Sequence, residues 1–190
     1  MPRAPPPVTS IWWKPASPAP ASSSGRGTAT LLLGGEDLAL DRLEPLLPLI
    51  AGKWFRVGGI GDGNRAKLAI NLILGLNRAA VAEGLVFAEA LGLDLPAFLD
   101  VARQSAAQSQ AMEQKGELMV TGAFAPLGRI DQSHKDFSLI RKAAAARGLA
   151  ALPFAEAYLA MMEDGLAADE GGLDNSAIIK AIARTARGAG

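Results

Sequence analysis

One long apolar stretch, residues 66–91, limits what this chain can fold into more than any other feature. It contains 18 apolar residues, six polar residues, two glycines and no proline. This pattern predicts one continuous helix over residues 63–91 that is buried along most of its length, because a helix that is apolar on most sides runs through a core. Only ten residues separate Lys67 from Arg78, well short of the roughly 20 that a membrane span needs, so no membrane-spanning segment is expected.

A short α/β unit is predicted before this helix. Residues 28–33 and 53–57 are short apolar or β-branched runs that end at glycine pairs, which is typical of buried strands. Residues 36–50 between them predict a helix that is kinked by Pro45 and ends near Pro48. Strand, helix and strand form one crossover unit of a parallel sheet. Such a unit cannot cover both of its faces alone, so a preceding segment in longer relatives or a partner is expected to cover it.

The rest of the chain predicts helices only, so the fold class is mainly α: a six-helix C-terminal domain with a long interdomain helix, preceded by a β-α-β unit. Glycines separate the predicted helices, which we place at residues 96–107, 108–120, 130–147, 153–168 and 175–186. A cluster of acids before Gly171 is expected to form a solvated loop, and its members are Glu163, Asp164, Asp169 and Glu170.

Residues 1–26 differ in composition from everything that follows. Seven of the 12 prolines lie in the first 20 residues, and proline excludes helices and central strands. We therefore expect residues 1–26 to be a disordered tail or an out-of-register start.

Composition excludes several classes of function. The chain has no cysteine and one histidine, so no disulfide, thiolate site or histidine-rich metal site is expected. Nineteen basic residues balance 19 acidic ones, whereas a nucleic-acid-binding protein usually has a basic excess. We expect a cytoplasmic protein whose chemistry uses Lys, Asp, Glu, Asn, Ser or Thr.

The segment Gly61-x-Gly63-x-x-Ala66 matches a dinucleotide-binding fingerprint between a strand and a helix. The context differs from a Rossmann unit, in which a short helix leads to a second strand within about 30 residues. A small nucleotide-binding module would therefore require a strand soon after a short helix. The glycines nevertheless allow a sharp turn that leaves the first helical turn open to a ligand.

Lys67 and Asn71 are four residues apart in the long helix and share one face of it. They are either a lysine that extends to water and an asparagine that caps a neighbour, or a functional pair. A cation is disfavoured at a helix N-terminus, and a lysine that releases its proton readily can exchange it with a developing alkoxide.

Three motifs in order carry a family likeness. They are residues 27–35 (Gly-Thr-Ala-Thr-Leu-Leu-Leu-Gly-Gly), the spacing Gly61-x-Gly63-x-x-x-Lys67-x-x-x-Asn71, and the pair Lys135-Asp136. Together they resemble the 3-hydroxyisobutyrate dehydrogenase family of NAD(P)-dependent β-hydroxyacid dehydrogenases. The likeness covers about residues 27–186.

The resemblance implies a domain organisation and roles for three residues. Residues 27–62 would be the remnant of a Rossmann domain whose nucleotide-binding part is missing, and residues 63–190 an all-α C-terminal domain. Lys67 would be the catalytic residue, Asn71 would bind substrate, and Lys135 would contact the cofactor, NAD or NADP.

The implied activity is hydride transfer to or from a small β-hydroxyacid or semialdehyde in a truncated oxidoreductase that forms homo-oligomers. This chain alone is expected to bind NAD(P) poorly. The alternative is a non-catalytic all-α dimerisation module that has lost its Rossmann domain.

Overall fold

A computed structural model of the chain describes residues 30–188. These residues divide into two compact units, with the division between Ile70 and Asn71. The expectation of a disordered or out-of-register tail at residues 1–26 lies outside the described residues. The proposed domain boundary at residues 62 and 63 stays a prediction.

The first unit has the predicted strand, helix and strand. Strand β1 (Thr30–Gly34) pairs in parallel with β2 (Lys53–Gly58), and helix α1 (Asp37–Leu43) lies between them in the chain. Side chains of β1, α1 and the segment between α1 and β2 pack into a small core, which comprises Leu31, Leu33, Leu40, Leu47 and Ala51. The β-α-β unit is therefore confirmed. Pro45 does not kink an α-helix, since α1 ends before it and a 3₁₀ helix (Glu44–Leu49) follows.

Helix α2 (Asp62–Ala90) is continuous over 29 residues, as predicted. The prediction that it is buried along most of its length is wrong. From Gly75 onwards its buried residues recur every three or four positions and form one stripe, which comprises Gly75, Arg78, Val81, Ala82, Leu85 and Ala88. Ile73 and Phe87 on other faces are 61% and 64% exposed. The neighbouring helices of its own unit thus cover only one side of α2.

Helix α2 is also long and apolar enough to meet a simple length-and-hydropathy criterion for a membrane span. Such a helix is equally typical of a soluble core. Here the buried stripe of α2 includes the cationic Arg78, whose Nη1 donates to the hydroxyl of Tyr158. The stripe therefore packs against protein, and from Asn71 onwards α2 is the first helix of the second unit, the helical unit.

Five more α-helices follow within the described residues, close to the predicted positions. They are α3 (Leu95–Arg103), α4 (Gln110–Thr121), α5 (Ile130–Ala145), α6 (Pro153–Ala167) and α7 (Ile178–Ala186). Asp94 and Ser109 cap α3 and α4 by accepting backbone N–H groups at 2.9 and 3.2 Å. A 3₁₀ turn (Asn175–Ala177) precedes α7, which accounts for the earlier start predicted for the last helix.

Of the four acids that were expected to form a solvated loop, only Asp169 lies exposed in the turn after α6. Glu163 and Asp164 lie in α6, and Glu170 is only 5% exposed. Glu170 accepts hydrogen bonds from Arg184 at 2.9 Å and pairs with Lys180 at 2.7 Å. Lys180 and Arg184 are four residues apart on α7 and share one face, so a carboxylate beside that face is buried with two cationic partners. The pKa of Glu170 is lowered because these hydrogen bonds outweigh the effect of burial, which alone would raise it.

A second carboxylate, Asp174, is completely buried. Its oxygens accept six hydrogen bonds: two from Nζ of Lys115, one each from the N–H groups of Leu127, Gly128 and Ser176, and one from the Ser176 hydroxyl. Burial alone would raise the pKa of this carboxyl, but these bonds outweigh it, Lys115 first, and lower the pKa from 3.8 to about 2. Asp174 thus stays charged in the interior.

Replacement of Asp174 by Asn should destabilise the fold and remove an acid-dependent part of its stability. A depressed pKa contributes stability that is fully present above about pH 4 and is lost as the pH falls toward 2, in total about 2 kcal/mol. At pH 7 we expect Asp174→Asn to lower the free energy of unfolding by roughly 3–5 kcal/mol. Urea unfolding followed by circular dichroism at several pH values measures both effects.

The difference between wild type and Asp174→Asn should therefore shrink between pH 4 and pH 2. A difference that does not change over this range would contradict the assignment of a stabilising charge to Asp174.

Candidate functional site

Glycines bring the first turn of α2 close to the end of β1. A side-chain carbon on Gly34 would lie 2.6 Å from the carbonyl oxygen of Gly59 and 2.8 Å from the nitrogen of Gly63, so only glycine fits there. Gly61 has a φ of 87°, which other residues rarely adopt. Asp62 then accepts the N–H of Gly59 at 2.7 Å, and α2 begins immediately after the turn. The Gly-rich turn therefore starts the helix at a defined position beside the strand.

Lys67 lies in the second turn of α2 and is half-buried. Asn71 follows one turn later on the same continuous helix, so the helix directs both side chains to the same side. Within residues 30–188, the side chain of Lys67 makes no hydrogen bond and no ion pair. The roles predicted for the two residues remain proposals.

Asn71 is held by a residue that is 65 positions away in the chain. Its Nδ2 donates to Oδ2 of Asp136 on α5 at 3.3 Å, which is the long end of the hydrogen-bond range. The sequence indicated Asp136 only as half of the Lys135-Asp136 motif, and the contact with Asn71 was not foreseen. The structure therefore links two of the three family motifs through one hydrogen bond.

Lys135 is exposed on α5 and does not join this contact. Successive residues of a helix point about 100° apart, so Lys135 and Asp136 face different directions. Lys135 makes no ion pair within the described part of the chain. Its ammonium group is accessible to an anionic group, which is what a contact with a cofactor phosphate would require.

An aromatic pair sets the separation of α2 from α5 and α6, one turn beyond Asn71. The rings of Phe137 and Tyr158 meet edge to face with centroids 4.8 Å apart. A side-chain carbon on Gly75 would lie 2.4 Å from the ring of Phe137. Glycine at this position thus lets the rings pack directly against the backbone of α2. The sequence indicated no role for Gly75 or Tyr158, because neither belongs to a recognisable motif.

Arg78 extends this polar and aromatic cluster. It is 7% exposed, and its Nη1 donates to the Tyr158 hydroxyl at 3.1 Å. Its Nε has no hydrogen-bond partner within residues 30–188, and no carboxylate in this range pairs with it. Asn71, Gly75 and Arg78 recur at spacings of four and three, so one face of α2 carries a hydrogen-bonding amide, a ring contact and a buried cation.

The chain is similar to a known family of proteins over most of its length. The family described as "NAD-binding of NADP-dependent 3-hydroxyisobutyrate dehydrogenase" matches residues 61–182. The chain is 34% identical over 155 residues to 2-(hydroxymethyl)glutarate dehydrogenase of Eubacterium barkeri, covering 81% of this chain and 51% of that protein. It is 33% identical over 161 residues to L-threonate dehydrogenase of Escherichia coli, covering 84% and 53%. The chain thus spans about half the length of the curated relatives it matches.

Solved structures show the same fold. The 3-hydroxyisobutyrate dehydrogenase of Salmonella typhimurium superposes with a TM-score of 0.74 at 31% identity, covering 80% of this chain and 53% of that one. The Mycobacterium tuberculosis 3-hydroxyisobutyrate dehydrogenase, solved with L-serine, gives 0.71 at 30% identity, covering 80% and 54%.

Gly75→Ala should destabilise the helical unit, because the added methyl group overlaps the ring of Phe137. Overpacking of this kind costs about 1–3 kcal/mol. Gly84→Ala on the same helix is the matched control, since nothing lies within 4 Å of its added carbon. That control should gain about 0.5–1 kcal/mol from helix propensity. Urea denaturation measures both, and equal effects of the two changes would contradict the packing role of Gly75.

Proposed function

The chain belongs to the 3-hydroxyisobutyrate dehydrogenase family of NAD(P)-dependent oxidoreductases, and on that premise we propose hydride transfer to or from a small β-hydroxyacid or semialdehyde. The observation that carries this proposal is the arrangement on α2. One unbroken helix carries Lys67 and Asn71 on the same side, and Asp136 of the third motif accepts a hydrogen bond from Asn71.

The cofactor class of the family is NAD or NADP, as the sequence predicted. Lys135 is an exposed cation without an ion-pair partner in residues 30–188, so it is available to an anionic group of such a cofactor. Lys135 would offer positive charge to the cofactor. When bound, the nicotinamide supplies or accepts the hydride, and the protein contributes positioning and proton handling.

Lys67 would handle the proton. During reduction its ammonium group would donate to the carbonyl oxygen of the substrate, and during oxidation its amine would accept the proton of the hydroxyl group. A lysine side chain can do both, because its ammonium form presents rotatable Nζ–H donors and its amine form presents a lone pair that accepts the proton.

Asn71 would orient the reacting oxygen. Its amide has two N–H donors, and Asp136 accepts one of them. The second N–H stays available to a substrate oxygen, and the contact with Asp136 restricts the rotation of the amide. Asn71 therefore orients without transferring a proton.

The names of the relatives indicate a class of substrate, small hydroxy acids. Their names refer to 2-(hydroxymethyl)glutarate, L-threonate and 2-hydroxy-3-oxopropionate, all of them small hydroxy acids. We propose that this protein acts on an acid of this class, with a hydroxyl or aldehyde carbon within reach of Lys67.

Lys67→Ala tests the proton-transfer role. A chimaera in which residues 27–186 replace the matching half of E. coli L-threonate dehydrogenase supplies the remaining half of the enzyme. There, Lys67→Ala should lower the turnover rate by roughly 10²–10⁴, the usual contribution of a positioned acid–base group. Lys67→Arg should not restore it, because guanidinium does not release a proton near neutral pH. Steady-state kinetics with NADPH and NADH measure these rates.

Two further variants complete this experiment. Asn71→Ala should lower the turnover rate less than Lys67→Ala does, since it removes only the orientation of the reacting oxygen. Lys142→Ala, an exposed lysine on α5, is the matched control and should leave the rate unchanged. Turnover of Lys67→Ala within about threefold of the parent chimaera, under 1 kcal/mol of barrier, would reject the catalytic role.

The chain should also form homo-oligomers through the uncovered face of α2. Ile73 and Phe87 expose large apolar side chains on this helix, and exposed apolar surface of this kind is typical of contact sites. At micromolar concentration, sedimentation should show a dimer or larger species. Ile73→Lys or Phe87→Lys should shift it toward monomer, because a buried unpaired charge opposes association.

Val101→Lys is the matched control for this experiment. Val101 is 67% exposed on α3, away from the proposed contact, and its replacement should leave the sedimentation unchanged. A monomeric wild-type chain, or equal dissociation by all three changes, would contradict association through α2.

A further inference from the structure

The carboxylate of Asp174 connects segments that are far apart in the chain. Its six donors come from Lys115 on α4, from the backbone of Leu127 and Gly128, and from Ser176 in the turn before α7. A completely buried carboxylate with so many donors resists displacement, because each lost bond would leave a charge or an N–H group unpaired.

Leu127 and Gly128 are the residues that lead directly into α5. Around them the backbone forms an isolated antiparallel bridge between Arg129 and Asp174. The N–H of Ile130 donates to the carbonyl of Leu173 at 3.1 Å, and the N–H of Asn175 to the carbonyl of Gly128. Asp174 therefore fixes the position from which α5 begins.

The start of α5 determines where Asp136 lies. Asp136 follows Ile130 by six residues, about 9 Å along the helix axis at 1.5 Å per residue. The hydrogen bond from Asn71 to Asp136 is 3.3 Å long, so a small displacement of α5 would break it.

We infer that Asp174 is a positioning residue: its carboxylate holds the start of α5 and thereby keeps Asp136 in place to orient the Asn71 amide. The importance of this for catalysis rests on the function proposed for Asn71. The contact between Asn71 and Asp136 does not depend on that function, so it can be tested on the chain itself.

Glu170 offers a matched comparison. It is also a buried carboxylate with cationic partners, but its hydrogen bonds go to α7 rather than to the residues that precede α5. Glu170→Gln and Asp174→Asn should both destabilise the fold. If Asp174 only stabilised the fold, Asp174→Asn and Glu170→Gln would have the same effect on the side-chain amide of Asn71.

The test is NMR spectroscopy of the full chain with ¹⁵N labelling, with Asn71→Ala used to identify the side-chain amide signals of Asn71. In Asp174→Asn we expect these signals to shift. Hydrogen exchange at the N–H groups of Leu127 and Gly128 should become faster by about tenfold or more. In Glu170→Gln the Asn71 signals and the exchange rates at Leu127 and Gly128 should stay at their wild-type values.

Ser176→Ala covers the case in which Asp174→Asn does not fold. It removes one hydroxyl donor at 2.7 Å and leaves the other five bonds. Its effects on Asn71, Leu127 and Gly128 should be smaller and in the same direction. Asn71 signals that stay unchanged in every folded variant of this cluster, or that shift equally in Glu170→Gln, would overturn the inference. Failure of the proposed function would appear separately, as unchanged turnover in the Lys67→Ala chimaera.

Discussion

The unbroken backbone hydrogen bonding of α2 is the constraint on which the candidate site depends. A helix fixes the direction of each side chain from its position alone, so Lys67 and Asn71 share one side without any tertiary contact between them. The same helix carries Gly75, which admits the rings of Phe137 and Tyr158, and Arg78, which reaches the Tyr158 hydroxyl. A break anywhere between Lys67 and Arg78 would separate the proposed chemistry from the packing that supports it.

The buried charged side chains of the helical unit differ in how many hydrogen-bond partners they have. Asp174 and Glu170 are surrounded by cationic and N–H donors, and these interactions lower the pKa of each carboxyl despite burial. Arg78 differs, because its only hydrogen-bond partner in residues 30–188 is a neutral phenol. The cost of burying Arg78 is therefore offset less completely than that of burying the two carboxylates.

The fold could be predicted from the sequence because its signals are local. Glycines and prolines end the helices and strands. The long apolar run at residues 66–91 predicts one helix and leaves no place there for the strand that would follow a short helix in a Rossmann unit. What the sequence could not show depends on distant partners. Asp174 binds groups 46 to 59 residues away, and Asn71 meets Asp136 across 65 residues. Burial of Glu170 was missed for the same reason, since an acidic cluster gives no sign that α7 will present Lys180 and Arg184 to it.

The second and third family motifs lie far apart in sequence, and the structure brings them together. The Gly-rich turn sets the start of α2, α2 sets the direction of Lys67 and Asn71, and α5 delivers Asp136 to Asn71. The last of these steps joins residues 65 positions apart, and the hydrogen bond that completes it is long, 3.3 Å. If Asn71 orients a substrate oxygen as proposed, a rigid attachment at the start of α5 serves the site better than a stronger contact at Asn71, because an amide held too tightly by Asp136 could not also adjust to that oxygen.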